Sequence, residues 1–258
     1  MQLISVDIGN SSTRISLEQS QSGDRWSTIQ VLPNSEDVHF QLTDLPAFWA
    51  VCSVNQKRLA ELKNWIGRYR TRDHFHVIQE TDISLKSNVE SREQVGRDRL
   101  VAASMAIRMN DRKGPVIVID AGTAVTVDFV DDNKRFQGGT IFPGAESTLR
   151  NLSESTDQLP DLSDREFLEL LGDLRKPSVG KSTHQAILNG VYQSQVGGIR
   201  HIVQGFKARC DSHVNVYATG GGIADLQSGL PQDWNYVPDL VLRGAQRLGR
   251  KLMAVNGV

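Results

Sequence analysis

The sequence predicts an α/β protein built from two similar halves, and three observations predict it. An apolar strand runs into Asp7-Ile8-Gly9-Asn10, and a second apolar strand runs into Asp120-Ala121-Gly122-Thr123. Three residues beyond each turn a threonine, Thr13 or Thr126, lies in the returning strand. Strand-like and helical periodicities alternate along the chain, and the pattern restarts near Pro115. Duplication over so long a period means two lobes rather than a solenoid. The expected lobes are 1–113 and 114–258, with the two Asp-x-Gly turns facing one another across a cleft.

In the first half, residues 3–6 and 13–17 read as a hairpin turned by Gly9-Asn10-Ser11-Ser12. Further strands are expected at 26–32, 48–51 and 75–78. Helices fall at 57–69, where Leu59, Leu62, Trp65 and Ile66 share a face, and at 98–109. His74 and His76 flank Phe75 and are expected on its solvent side. In the second half, 115–119 is a buried strand, followed by strands at 125–130 and 135–141 around an Asp131-Asp132-Asn133 turn. A helix follows Pro143-Gly144, and the polar stretch 153–177 holds one amphipathic piece at 166–171. The longest helical pattern covers 183–209. A strand at 214–218 then ends in Thr219-Gly220-Gly221-Gly222, and a last helix covers 240–253.

The 258 residues carry 29 Lys and Arg against 30 Asp and Glu, so no basic field exists to draw nucleic acid or an anionic membrane. Cys52 and Cys210 lie far apart, form no metal spacing and suit a reducing compartment. No signal-peptide pattern opens the chain, and no apolar run approaches the roughly 18 residues of a membrane span. A cytoplasmic protein is expected, without nucleic-acid or membrane partners.

A hairpin turn with glycine at its apex presents bare backbone N–H groups, which hold phosphate oxygens. Asn10, Ser11, Ser12 and Thr13 add side-chain donors. Asp7 cannot itself meet phosphate, so its carboxylate makes sense with Mg²⁺ between them. One Asp-x-Gly is also how an ordinary Asx turn reads. Two copies on apolar strands, with a third glycine turn at 219–222, favour phosphate handling. Gly180-Lys181-Ser182-Thr183 imitates the end of a P-loop, but Arg175 stands where that motif needs glycine, and no apolar strand precedes it. Two roles stay open for Gly96-Arg97-Asp98-Arg99. It is a helix cap with solvated arginines, or a base (Asp98) beside an arginine that grips an anionic substrate. The glycines at 138, 139 and 144 read first as close backbone packing and a tight turn. The six histidines show no metal spacing.

In order along the chain stand Asp7-Ile8-Gly9-Asn10, Val95-Gly96-Arg97-Asp98-Arg99, the run from Asp120-Ala121-Gly122-Thr123 to Asp128, and Gly138-Gly139-Thr140-Ile141-Phe142-Pro143-Gly144. Gly180-Lys181-Ser182-Thr183, Thr219-Gly220-Gly221 and Pro238-x-Leu240-x-Leu242-x-Gly244 follow. On these motifs the chain resembles the type III pantothenate kinases, a branch of the actin, sugar-kinase and heat-shock chaperone superfamily. The resemblance implies two ribonuclease-H-like lobes, the actin-like ATPase fold, with an interlobe cleft. It implies transfer of the γ-phosphoryl group of ATP to the primary hydroxyl of pantothenate, giving 4′-phosphopantothenate, the first step of coenzyme A biosynthesis.

Carried over position by position, the resemblance makes Asp98 the proton acceptor and gives Gly96, Arg97, Asp98, Arg99 and Thr183 to pantothenate. It gives Asp7, Ile8, Gly9, Asn10, Ser11, Ser12, Thr13, Arg14 and Thr123 to the nucleotide, and Asp120 to a monovalent cation, K⁺ or NH₄⁺. Mg²⁺ and a homodimer with the acceptor pocket near its interface are also implied. Two positions depart from the family pattern. Ser11-Ser12 replace the usual Thr-Asn of the first loop, and Val89 stands ahead of Asp98 where relatives often carry tyrosine. A kinase of the same fold with another acceptor, or a nucleotide-binding regulator without turnover, are the alternative readings.

Overall fold

The computed structural model describes residues 1–18, 26–111, 114–171, 174 and 178–257. They form two units: Met1–Leu85 with Glu90–Met105 and Asp239–Val258, and Lys86–Val89 with Ala106–Pro238.

The first unit contains β1 (Gln2–Ile8), β2 (Ser12–Glu18), β3 (Trp26–Pro33), β4 (Ala47–Ser53), α1 (Gln56–Tyr69) and β5 (His74–Val77). The first part of α2 (Arg97–Met109) also belongs to it. The sheet order is β3-β2-β1-β4-β5. The β1-β2-β3 pairs are antiparallel, and β4 and β5 run parallel to β1. Both faces of the sheet are covered, which is why β4 is buried along its whole length and apolar up to its last residue, Ser53. Ile4, Val6 and Ile8 pack with Trp49, Val51, Leu62 and Ile66 on one face. Leu3, Phe48 and Ala50 pack on the other. Burying such a side chain contributes about 1.5–3 kcal/mol. Asn55 starts α1 by accepting the Arg58 N–H at 3.0 Å.

The second unit contains β6 (Lys86–Ser87), β7 (Val116–Ala121), β8 (Ala124–Val130), β9 (Arg135–Pro143), α3 (Ala145–Glu154), α4 (Arg165–Leu171) and α5 (Thr183–Lys207). β10 (Asn215–Thr219), α6 (Ile223–Leu226) and β11 (Asn235–Tyr236) complete it. Its sheet order is β11-β10-β7-β8-β9-β6. From β9 to β11 the pairing repeats the first unit strand for strand: β7-β8-β9 antiparallel, then β10 and β11 parallel to β7. The echo in the sequence is thus a duplication of topology. Ile187, Val191, Ile199 and Val203 of α5 close a core with Ile117, Ile119, Val125 and Val127.

A single cut at residue 113 does not describe this grouping. The segment at 86–89 pairs with β9 on the second sheet. The last helix, α7 (Leu240–Asn256), returns to the first unit and packs on β1 and β4. It sits so close that a Cβ on Gly249 would lie 2.7 Å from Leu3 and Ala50 side-chain atoms. An apolar helix face records that it is buried, not which sheet buries it. His74 is exposed, but His76, with 31% of its side chain exposed, is also engaged: its Nε2 lies 2.8 Å from Asp82 Oδ2, and its ring stacks on Phe48. Residues 172–173 and 175–177 of the polar stretch lie outside the described residues. Among the described residues no helix is long and apolar enough to cross a membrane.

Candidate active site

The β1–β2 turn joins strands whose ladder sets Asp7 opposite Arg14 and Ile8 opposite Thr13. The Gly9 N–H donates to the Ser12 carbonyl at 3.0 Å, leaving Asn10 and Ser11 exposed at the tip. Behind the turn stands Asn34, the residue after β3. Its Nδ2 donates to the carbonyls of Gly9 and Asn10, both at 2.9 Å. Its Oδ1 accepts the Thr13 hydroxyl at 2.8 Å, and its main-chain N–H donates to the Ser11 carbonyl at 2.9 Å. Arg58 of α1, almost wholly buried, donates from Nε to Thr13 Oγ1 at 3.3 Å and from Nη1 to the Glu36 carbonyl at 2.7 Å. Sequence reasoning missed Asn34 and Arg58. Nothing local marks partners so distant in the chain, although an asparagine directly after a strand-ending proline is a recognisable turn signal.

Asp98 lies in the first turn of α2, one residue inside the helix start, so it is not the cap. Its Oδ1 accepts the Arg99 N–H at 2.8 Å. The carboxylate lies against Gly96, where a Cβ would come within 2.5 Å of Oδ1. Glycine at 96 therefore makes room for the carboxylate. Burial raises the Asp98 pKa, opposed by the N–H and charge of Arg99. Burial and then the charge of Asp98 raise Asp7 to about 7, with Arg14 opposing. The structure thus brings Asp7, Arg14, Asp98 and Arg99 into one electrostatic group. A carboxyl whose proton is held by burial and by a second negative charge is a donor that a divalent cation relieves, so Asp7 fits Mg²⁺. Among the described residues no group of three or more His, Cys, Asp or Glu gathers for a metal. Such an ion would complete its shell with water and phosphate oxygens.

In the second unit the ladder sets Asp120 between Thr126 of β8 and Thr219 of β10. The Gly122 N–H donates to the Ala124 carbonyl at 3.0 Å, and Gly122 and Thr123 are exposed. The main chain then locks three glycine turns together. Gly144 N–H donates to the Thr123 carbonyl at 2.9 Å, and Gly222 N–H donates to the Ala121 carbonyl at 2.8 Å. A Cβ on Gly144 would lie 2.0 Å from the Gly122 carbonyl oxygen. One on Gly220 would lie 2.3 Å from the Ala121 oxygen and 2.4 Å from Asp120 Oδ1. Gly139 likewise meets the Val127 carbonyl, the close packing expected of this run.

Thr183 is the exposed first residue of α5, behind Ser182, whose Oγ accepts the Gln185 N–H at 3.3 Å. It lines a groove with Thr148, Leu152 and Ile187. Gly180 packs on the first turn of α5, and residues 178–180 form no strand, so a P-loop is absent there.

Two solved structures share the architecture. A Baf family transcriptional activator from Campylobacter jejuni aligns over 98% of this chain and 100% of its own, with a TM-score of 0.60 and 20% identity. The activator of the 2-hydroxyisocaproyl-CoA dehydratase from Clostridium difficile, with bound ADPNP, aligns over 100% and 97%, with a TM-score of 0.53 and 12% identity. The fold is that of the actin-like ATPases. Within that class the type III pantothenate kinase model matches residues 3–205, and the chain belongs to the type III pantothenate kinase family. A type III pantothenate kinase of Desulfovibrio desulfuricans is 27% identical over 96% of both chains. That of Thermus thermophilus is 31% identical over 95% of this chain and 98% of its own.

Proposed function

We propose that the protein is an ATP-dependent pantothenate kinase of the cytoplasm, acting as a homodimer and forming 4′-phosphopantothenate for coenzyme A biosynthesis. Family membership over residues 3–205 supports the reaction. The observation that carries the chemistry is Asp98, a carboxyl seated against Gly96 at the head of α2, its proton affinity raised by burial. Asp98 orients the primary hydroxyl and takes its proton as that oxygen bonds to the γ-phosphorus. The bond from phosphorus to the β,γ-bridging oxygen breaks, and ADP leaves. A primary alcohol is a weak acid and the transition state is loose, so positioning outweighs base strength.

Gly96, Arg97, Arg99 and Thr183 hold pantothenate, with Arg99 on its carboxylate. Residues 7–14 and Thr123 hold the nucleotide through main-chain and hydroxyl donors. When bound, Mg²⁺ at Asp7 and K⁺ or NH₄⁺ at Asp120 supply charge neutralisation for the phosphates. A coupled assay with pantothenate and a panel of other small alcohols tests the assignment. Asp98→Asn is expected to lower kcat by roughly 100-fold or more with folding and ATP binding intact. Unchanged turnover in the amide variant, or an equal response to other acceptors, would refute it. In the same assay Na⁺ in place of K⁺ lowers the rate, and Asp120→Ala abolishes the difference.

A further inference from the structure

We infer that Asn34 is a positioning residue that sets residues 9–12 in an anion-receiving form; the inference rests on the reading of that loop as nucleotide-binding. Three consecutive carbonyls, those of Gly9, Asn10 and Ser11, are held by this one residue, the first two by Nδ2 and the third by its main-chain N–H. In a planar trans peptide the C=O and the following N–H point opposite ways. The described peptides include no cis bond. Fixing the three carbonyls on the Asn34 side therefore turns the N–H groups of Asn10, Ser11 and Ser12 toward the other face of the loop. Successive N–H groups on one side make an anion-binding concavity.

The glycine does not compel this form. A Cβ on Gly9 would meet only the Ser12 carbonyl, at an ordinary 3.5 Å. The amide of Asn34 is itself oriented, because Oδ1 accepts the hydroxyl of buried Thr13, which in turn accepts from Arg58 Nε. Reversing the amide would set its NH₂ against a donor and its oxygen against two carbonyls. Two acceptors on one side and a donor on the other require NH₂ and C=O in a single side chain. Aspartate would face two carbonyls with a carboxylate, and serine could satisfy only one of them.

The test uses the full chain with ADP·Mg²⁺ and adenosine as probes, followed by calorimetry, with ATP kinetics alongside. Asn34→Ala is expected to weaken ADP by about tenfold or more, to leave adenosine unchanged, and to raise KM for ATP while sparing KM for pantothenate. Asn34→Ser recovers part of the ADP affinity, and Asn34→Asp recovers none. If the alanine variant does not fold, the serine and aspartate variants carry the same comparison. Equal weakening of ADP and adenosine, the mark of a merely structural role, overturns the inference, as does no weakening of either. In both cases a wild type that still phosphorylates pantothenate keeps the kinase reading. A wild type that binds neither probe removes both.

Discussion

At the β1–β2 turn the support comes mostly from side chains: the Asn34 amide ties two carbonyls and its main-chain N–H a third, Thr13 orients Asn34, and Arg58 backs Thr13. At the β7–β8 turn it comes mainly from main chain: the turns at Gly144 and Gly222 donate N–H groups straight onto the carbonyls of Thr123 and Ala121, and Ser147 Oγ adds one side-chain bond to the Thr123 carbonyl at 2.7 Å. The two turns occupy equivalent places in a duplicated topology and share an Asp-x-Gly sequence. A common local sequence therefore fixes the hairpin but not what stands behind it. The difference also predicts where each is fragile. A side-chain bond is lost one at a time, whereas a main-chain contact at van der Waals limit leaves no room for any Cβ.

The largest effect follows at once. Gly144→Ala and Gly220→Ala each place a Cβ inside contact distance of a carbonyl oxygen, and Gly220 adds a φ of 96°. Each is expected to destabilise by more than about 4 kcal/mol, the range that marks an exceptional substitution. Gly9→Ala, with an ordinary contact and no left-handed φ, changes stability by no more than about 1 kcal/mol in either direction. Urea unfolding of the three variants decides it. Equal losses would erase the contrast between the turns.

The first turn also carries a buried charge. Burial and Asp98 raise Asp7 to about 7 from an ordinary 3.8. The native state then binds this proton more tightly than the unfolded chain, so the stabilisation is fully present below about pH 4 and is lost as pH rises through 7. Without metal or nucleotide, the wild type should lose up to about 4 kcal/mol relative to Asp7→Asn over that window. Parallel stability profiles for the two proteins from about pH 4 to 8 would mean that Asp7 is not perturbed.

These contrasts bear on how much was legible in the sequence. Both turns were, because an apolar run ending in Asp-x-Gly is a local signal carried by neighbouring residues. So were the helices at 56–69, 97–109, 183–207 and 240–256, since each carries its own periodicity, whereas the helix at 145–154 was marked only by the Pro143-Gly144 turn and 165–171 only as an amphipathic stretch. The backing of the turns was not. Asn34 bonds Thr13 across 21 positions and Arg58 bonds it across 45, and no spacing rule links such pairs. The strands at 86–87 and 235–236 are too short to show alternation. The role of Gly96 was half visible. The motif drew attention to it, but only the carboxylate folded against its Cα explains the missing side chain.

The smallest effect concerns whether the acceptor reaches residue 89. Val89 lies just past β6, with Cγ1 3.5 Å from where a Cβ of Gly138 would stand. Gly138 has a φ of 93°, so no larger side chain competes for that space. A tyrosine at 89 would add roughly 40–80 Å² of apolar contact, worth about 1–2 kcal/mol if pantothenate meets it. Contact made alike in ground and transition states changes KM and not kcat. Val89→Tyr is therefore expected to lower KM for pantothenate several-fold, leaving kcat and KM for ATP as they are. A fall in kcat would mean that the ring obstructs the reacting hydroxyl. No change in either constant would mean that the acceptor does not reach residue 89.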